Sequence, residues 1–335
     1  MRLKIMTWNI NMHGANIQSR NFGINEVNYP KYNDDKNDND AGLIIKQIIK
    51  HKPDVFILVE YNDAFNKKDG EKNEQIIKKL LPEYIAVQNP GQIIKNDDAD
   101  KNEVEFRLRY GICIGFKKSS FNEKSISIFS YDFEKSFHDK VKEPNYLFVE
   151  TQLKNEEIPI AFCGIRVQYS YIEDGKMRKC RTTRVNQIVE LLNNFLHKYN
   201  ECYGYAPNLI IGGDLNLEEN KVKGSAWQEL VEFLGEKEIS AFKPKNGYSY
   251  VTISKNKKSI DWLLHSKFIT PINDKSSYNW DFLNSNDDRE STRSYIDLVP
   301  IVSPKHIPDH AIMINEVEID VDSQSNCDNV QDITG

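Results

Sequence analysis

The chain has 335 residues, of which 39% are apolar and 28% charged, an ordinary globular composition. Its net charge of −6 gives no bulk reason to expect tight nucleic-acid binding, and no apolar run approaches the ~20 residues of a membrane span. Five cysteines (Cys113, Cys163, Cys180, Cys202 and Cys327) lack CxxC spacing and read as reduced thiols of a cytoplasmic protein, which argues against a zinc site.

Leu3 to Ile10 reads as a strand, and the segment lacks the long apolar region of a signal peptide. Ile44, Ile45, Ile48 and Ile49 recur at helical spacing, which predicts an amphipathic helix over 41–51 that Pro53 stops. Asp54 to Tyr61 is a buried strand. A short helix over 73–81 and a strand from Tyr84 to Gln88 follow. Further strands are expected from Arg109 to Phe116 and near 126–130, 146–153 and 159–167. Val185, Ile188, Val189, Leu192, Phe195 and Leu196 form one stripe, which predicts a helix over 181–199. Leu209, Ile210 and Ile211 make a buried strand, and Gly212 and Gly213 after it free the backbone to turn tightly. A helix near 224–235 precedes strands near 248–253, 259–265, 298–302 and 310–319. Many strands with few helices between them favour two mixed sheets packed face to face with helices outside. Residues 33–40, 95–103 and 284–295 are polar and read as surface loops. The expected organisation is one domain over 1–317 and an acidic tail over 318–335 that carries no Lys or Arg.

Polar residues fall where strands end. Asn9 closes the first strand, where an amide can bind a metal-linked oxygen; alone, it also suits a turn. Glu60 ends the apolar run Val55 to Val59, where a carboxylate is costly unless paired or bound to a cation. A hard cation such as Mg²⁺ prefers such oxygens; a Glu facing solvent is the alternative. Asp214 and Asn216 lie two apart and on an extended backbone share a face. Asp261 opens Ser259 to Leu264. Asp309 precedes His310, an imidazole able to act as acid or base near neutral pH.

In order and wording, TWNIN (7–11), PDVFILVE (53–60), RYGICIGF (109–116), GGDLN (212–216), SIDWLL (259–264) and PDHA (308–311) resemble the endonuclease/exonuclease/phosphatase superfamily. The resemblance spans residues 7 to 311. It implies a four-layer α/β sandwich of two mixed, mostly antiparallel sheets with outer helices. It also implies a Mg²⁺- or Mn²⁺-dependent phosphodiesterase or phosphatase. Carried over by position, Glu60 is the principal metal ligand, with Asn9 and Asp309 near the metal. Asp214 orients or deprotonates the attacking water, and Asn216 holds a phosphate oxygen. His310 is the acid/base or stabilises the transition state, and Asp261 orients its neighbours. Where many members carry a His after the strand Ile160 to Ile165, this chain has Arg166. Arginine cannot shuttle a proton at neutral pH but clamps phosphate through paired donors.

Three functions fit. The leading one is a metal-dependent nuclease on DNA or RNA. The basic run 176–184, with Arg178 and Arg181, would track the backbone together with Arg109, Asn11 would contact the substrate, and Tyr169 would stack on bases. A solvated helix start is the plain reading of that run. The second is a phosphatase or phosphodiesterase of a small or lipid substrate. The third is an inactive binding module, against which the intact polar set argues.

Overall fold

The computed structural model describes residues 1–10, 43–61, 81–88, 111–129, 145–154, 156, 159–168, 170–173, 176–179, 181–245, 247–251, 256–280 and 310–320. In chain order the elements begin with β1 (Arg2–Asn9), α1 (Leu43–His51), β2 (Val55–Tyr61), β3 (Tyr84–Gln88) and β4 (Gly111–Lys117). They continue with β5 (Ser127–Ile128), β6 (Asn145–Gln152), β7 (Pro159–Arg166), β8 (Ser170–Glu173), β9 (Lys176–Lys179) and α2 (Arg181–Tyr203). The remainder are β10 (Asn208–Asp214), α3 (Ala226–Glu236), β11 (Ile239–Phe242), β12 (Tyr250–Val251), β13 (Lys257–Lys258), β14 (Asp261–Ser266), β15 (Ile269–Pro271), β16 (Ser277–Asn279) and β17 (Ile312–Ile319).

Two sheets dominate. The first runs β15-β17-β1-β2-β4-β3, with β16 also on β17, and the second runs β11-β14-β10-β7-β6-β5. Most pairings are antiparallel. The exceptions are central: β1 lies parallel to β2, and β7 parallel to β10. The expected sandwich is therefore present.

Alternation along the strands builds its layers. Ile160 and Phe162 of β7, Ile210 of β10 and Leu263 of β14 join the core shared with the first sheet. Their neighbours Ala161, Cys163, Ile165, Leu209, Ile211, Trp262 and Leu264 pack with Val185, Ile188, Leu192 and Phe195 of α2 and Leu230 and Leu234 of α3. On α1, Ile44, Ile45 and Ile48 are buried beside the first sheet, whereas Ile49, counted in the same stripe, is exposed.

The two glycines of GGDLN do not make a turn. Both lie inside β10. A Cβ on Gly212 would sit 2.5 Å from Thr7 Oγ1 of the facing sheet, so this position lets the sheets close on each other. Gly213 has φ +154°, and a Cβ there would meet the Ile165 carbonyl oxygen at 1.9 Å.

Other elements also differ from expectation. Lys176 to Lys179 form a strand paired with β8, so the basic run is half strand, and only its end starts α2. The short strands β11, β15 and β16 have no apolar run to announce them. β17, by contrast, reaches Ile319 as expected for the strand near 310–319, held to β1 and β15. The segments expected at 73–81 and 298–302, and the polar stretches 33–40, 95–103 and 284–295, lie outside the described residues or almost wholly so.

Candidate active site

The two parallel pairs bring four strand ends to one place. Asn9 ends β1, Arg166 ends β7 and Asp214 ends β10. Glu60 lies one residue before the end of β2. In the second sheet Asp214 pairs in register with Arg166 on one side and Asp261 on the other. All three occupy the face turned toward the first sheet, since each is an even number of residues from Phe162, Ile210 or Leu263.

Glu60 reaches that face by breaking alternation. Ile57 points between the sheets, against the position a Gly212 side chain would take. Regular pleating would therefore send Glu60 to the opposite face. Instead the register with β4 shifts between Val59 and Tyr61, and Glu60 sits at φ +56°. A bulge of this kind re-aims one side chain. A carboxylate held in the left-handed region carries a backbone cost that its contacts must offset.

Those contacts form one network. Asn9 Nδ2 donates to Glu60 Oε1 at 3.2 Å and to Asp214 Oδ2 at 3.1 Å, and lies 3.5 Å from His310 Nε2. Arg166 Nε donates to Glu60 Oε1 at 2.5 Å, with both side chains largely buried. Asn216, at φ +51°, folds back over Asp214. Its N–H donates to Asp214 Oδ1 at 2.8 Å, and its Nδ2 donates to Asp214 Oδ2 at 3.2 Å and to the Val167 carbonyl at 2.7 Å. The two residues meet through this left-handed turn and not through a shared strand face. His310 Nδ1 bonds Asp261 Oδ2 at 2.8 Å.

Further residues hold the network. The Trp8 indole donates to the His310 carbonyl at 2.9 Å. Ser249 Oγ accepts from the N–H groups of Ile260 and Asp261, and its carbonyl accepts from Ala311. The Tyr278 hydroxyl donates to the Asp261 carbonyl at 2.8 Å. Arg184 donates to the Asn216 carbonyl. Arg166 Nη1 donates to Gln168 Oε1 at 3.0 Å, and Gln187 of α2 exchanges hydrogen bonds with the Gln168 backbone at 2.9 and 3.3 Å. The sequence reading missed these residues. A buried Gln on an otherwise apolar helix face was the one available signal, at Gln187.

Electrostatically the site is short of positive charge. Among the described residues, three buried carboxyl groups (Glu60, Asp214 and Asp261) face the Arg166 guanidinium and the His310 imidazole, while Arg184 is engaged by the Asn216 carbonyl. Burial pushes Asp214 up to about 7; His310 and Arg166 pull it down, and Asp261 and Glu60 push it further up. Asp261 Oδ1 is buried without a hydrogen-bond partner. Among the described residues no three Asp, Glu, His or Cys side chains form a ready cage. Mg²⁺ needs no such cage, since it binds through one or two carboxylates and keeps several waters. The hard oxygen donors and surplus negative charge fit a Mg²⁺ or Mn²⁺ ion near Glu60.

Seven of the expected residues thus meet: Asn9, Glu60, Arg166, Asp214, Asn216, Asp261 and His310. Asn11, Arg109, Tyr169 and Asp309 lie outside the described residues. Arg178 lies on β9 and Arg181 opens α2, with their side chains outside the description. Cys163 and Cys202 are free thiols.

No family model matches the chain, and no curated protein matches it. Solved structures do. An endonuclease/exonuclease/phosphatase family protein from Bacteroides thetaiotaomicron superposes with a TM-score of 0.56 at 13% identity, covering 96% of this chain and 98% of that one. The fold is that of the endonuclease/exonuclease/phosphatase family. The human Nocturnin catalytic domain, solved with bound sulfate, matches with a TM-score of 0.54 at 14% identity over 95% of this chain and 94% of that one. A mannosyl-6-phosphatase from Bacteroides thetaiotaomicron matches with a TM-score of 0.52 at 12% identity, over 95% of this chain and all of its own. What these proteins share with this chain is the endonuclease/exonuclease/phosphatase fold. Among the described residues no helix is long and apolar enough to cross a membrane.

Proposed function

We propose that the protein is a divalent-metal-dependent phosphoric ester hydrolase, foremost a nuclease that cuts phosphodiester bonds of DNA or RNA by attack of water. One observation carries the reading. Residues as far apart as Asn9 and His310, 301 positions along the chain, join in a single hydrogen-bonded cluster at the C-terminal ends of the central strands. Ligands bind at such strand ends in α/β folds.

Glu60, with Asn9 and Asp309, would hold Mg²⁺ or Mn²⁺; when bound, the ion lends Lewis-acid charge to the phosphoryl group. Asp214 orients the attacking water and takes up its proton, and Asn9 and Asn216 keep its carboxylate in one rotamer. Asp261 fixes the His310 ring through Nδ1 and so turns Nε2 toward the cluster, where it can donate a proton or hydrogen bond to the phosphoryl or leaving oxygen. Arg166 adds fixed positive charge where negative charge develops. Asn11, Arg109, Arg178, Arg181 and Tyr169 are the proposed contacts for a nucleic-acid strand.

A phosphomonoesterase acting on a small phosphorylated compound is the second reading. The net charge of −6 and the structural likeness to a mannosyl-6-phosphatase favour it. The test is a panel of plasmid, linear DNA, RNA, inositol phosphates, mannose 6-phosphate and sphingomyelin, each with Mg²⁺ and with EDTA. Plasmid nicking that EDTA stops supports the nuclease. Phosphate release from a small ester without nicking selects the second reading. Turnover that persists in EDTA removes the metal from the mechanism.

A further inference from the structure

The guanidinium of Arg166 and a cation at Glu60 address the same carboxylate oxygen. Arg166 Nε lies 2.5 Å from Glu60 Oε1, the oxygen that also accepts from Asn9. The pair is largely removed from water, with side-chain exposures of 12% and 9%, so solvent screens it little. Gln168 Oε1 holds the other arm of the guanidinium, and Gln187 anchors the Gln168 backbone from α2. The positive charge is therefore fixed beside Glu60 by the segment that follows β7 and by α2, and cannot withdraw to solvent without breaking these bonds.

We propose that Arg166 is a built-in countercharge that competes with the divalent cation for Glu60 and sets a weak metal affinity. This inference rests on the reading of Glu60 as metal ligand. Two like charges at one carboxylate oppose each other, and a desolvated guanidinium offers no lower-charge form to escape into. Glu60 Oε1 already accepts from two protein donors, Asn9 Nδ2 and Arg166 Nε. Loading requires Glu60 Oε1 to be shared or Arg166 to be displaced. A displaced Arg166 remains at the end of β7, beside Asp214, where a substrate phosphoryl oxygen can accept from it.

The test is Mn²⁺ titration of the full chain, with free ion read by electron paramagnetic resonance and folding checked by circular dichroism. Arg166→Gln should bind Mn²⁺ roughly tenfold tighter than wild type, Arg166→Lys should stay near wild type, and Glu60→Gln should lose the site. If Arg166→Gln does not fold, Arg166→Met, which keeps an unbranched stem, supplies the same reading. Equal or weaker binding by the neutral variants, with Glu60→Gln still defective, overturns the countercharge and leaves the metal reading standing. Wild-type binding by Glu60→Gln overturns both.

Discussion

Glu60 and His310 reach Asn9 from 51 and 301 residues further along the chain, one through a bulge and the other through an Asp261-locked ring. Glu60 is replaceable without a large change in volume. Glu60→Gln keeps the shape and removes the charge, so it should fold normally and lose turnover by about 10²-fold or more; His310→Ala should lose about 10²- to 10⁴-fold, the usual range for an acid/base group. Circular dichroism beside a turnover assay checks both, and near-wild-type rates in either would show that the site lies elsewhere. Arg166→Ala should lower turnover by about 10²-fold at saturating metal, and Arg166→His should recover part of it, because imidazole can still donate to phosphate. Ser249 bonds two buried N–H groups, of Ile260 and Asp261. Ser249→Ala leaves both unsatisfied and should cost about 1–3 kcal/mol, read as a lower urea midpoint.

At the scale of elements, β10 carries the strictest demand. Gly213 has a positive φ and no room for a Cβ against Ile165, so Gly213→Ala should destabilise by more than ~1 kcal/mol and displace Asp214 from its partners. Ser225 caps α3 by accepting from the Gln228 N–H and belongs to no bond of the cluster. Ser225→Ala should cost about 1 kcal/mol in a melt and leave turnover unchanged. The contrast separates loss of activity by misplacement from loss by mere softening. The long strands β1, β2, β4, β6, β7, β10 and β17 and helices α1–α3 were legible, because buried strands and one-sided helices leave apolar runs and stripes. The short strands β8, β9, β11, β15 and β16 were not, since pairing with a distant partner decides them and their own residues do not. Asn9 and Asp214 were legible as polar residues closing apolar runs, and His310 as one standing just before such a run. The aim of Glu60 was not, because a bulge depends on the offset between β2 and β4. Nor were the supports Gln168 and Gln187, whose roles exist only once α2 lies beside β7.

At the scale of the whole molecule, metal binding should report as stability. An ion bound only by the folded chain adds about 2.7 kcal/mol at a hundredfold excess over its dissociation constant. Millimolar Mn²⁺ should therefore raise the melting temperature of the wild type. EDTA should reverse the rise, and Glu60→Gln should not show it. The first strand is also bound along its length by β17, and the Met1 amino group donates to the Ile319 carbonyl at 2.7 Å. A chain that stops ahead of His310 lacks both β17 and the imidazole, so its β1 edge stays open and the cluster loses the group that Asp261 orients. On the proposed function, such a truncated chain should be inert toward any phosphate ester that the full chain is found to cleave.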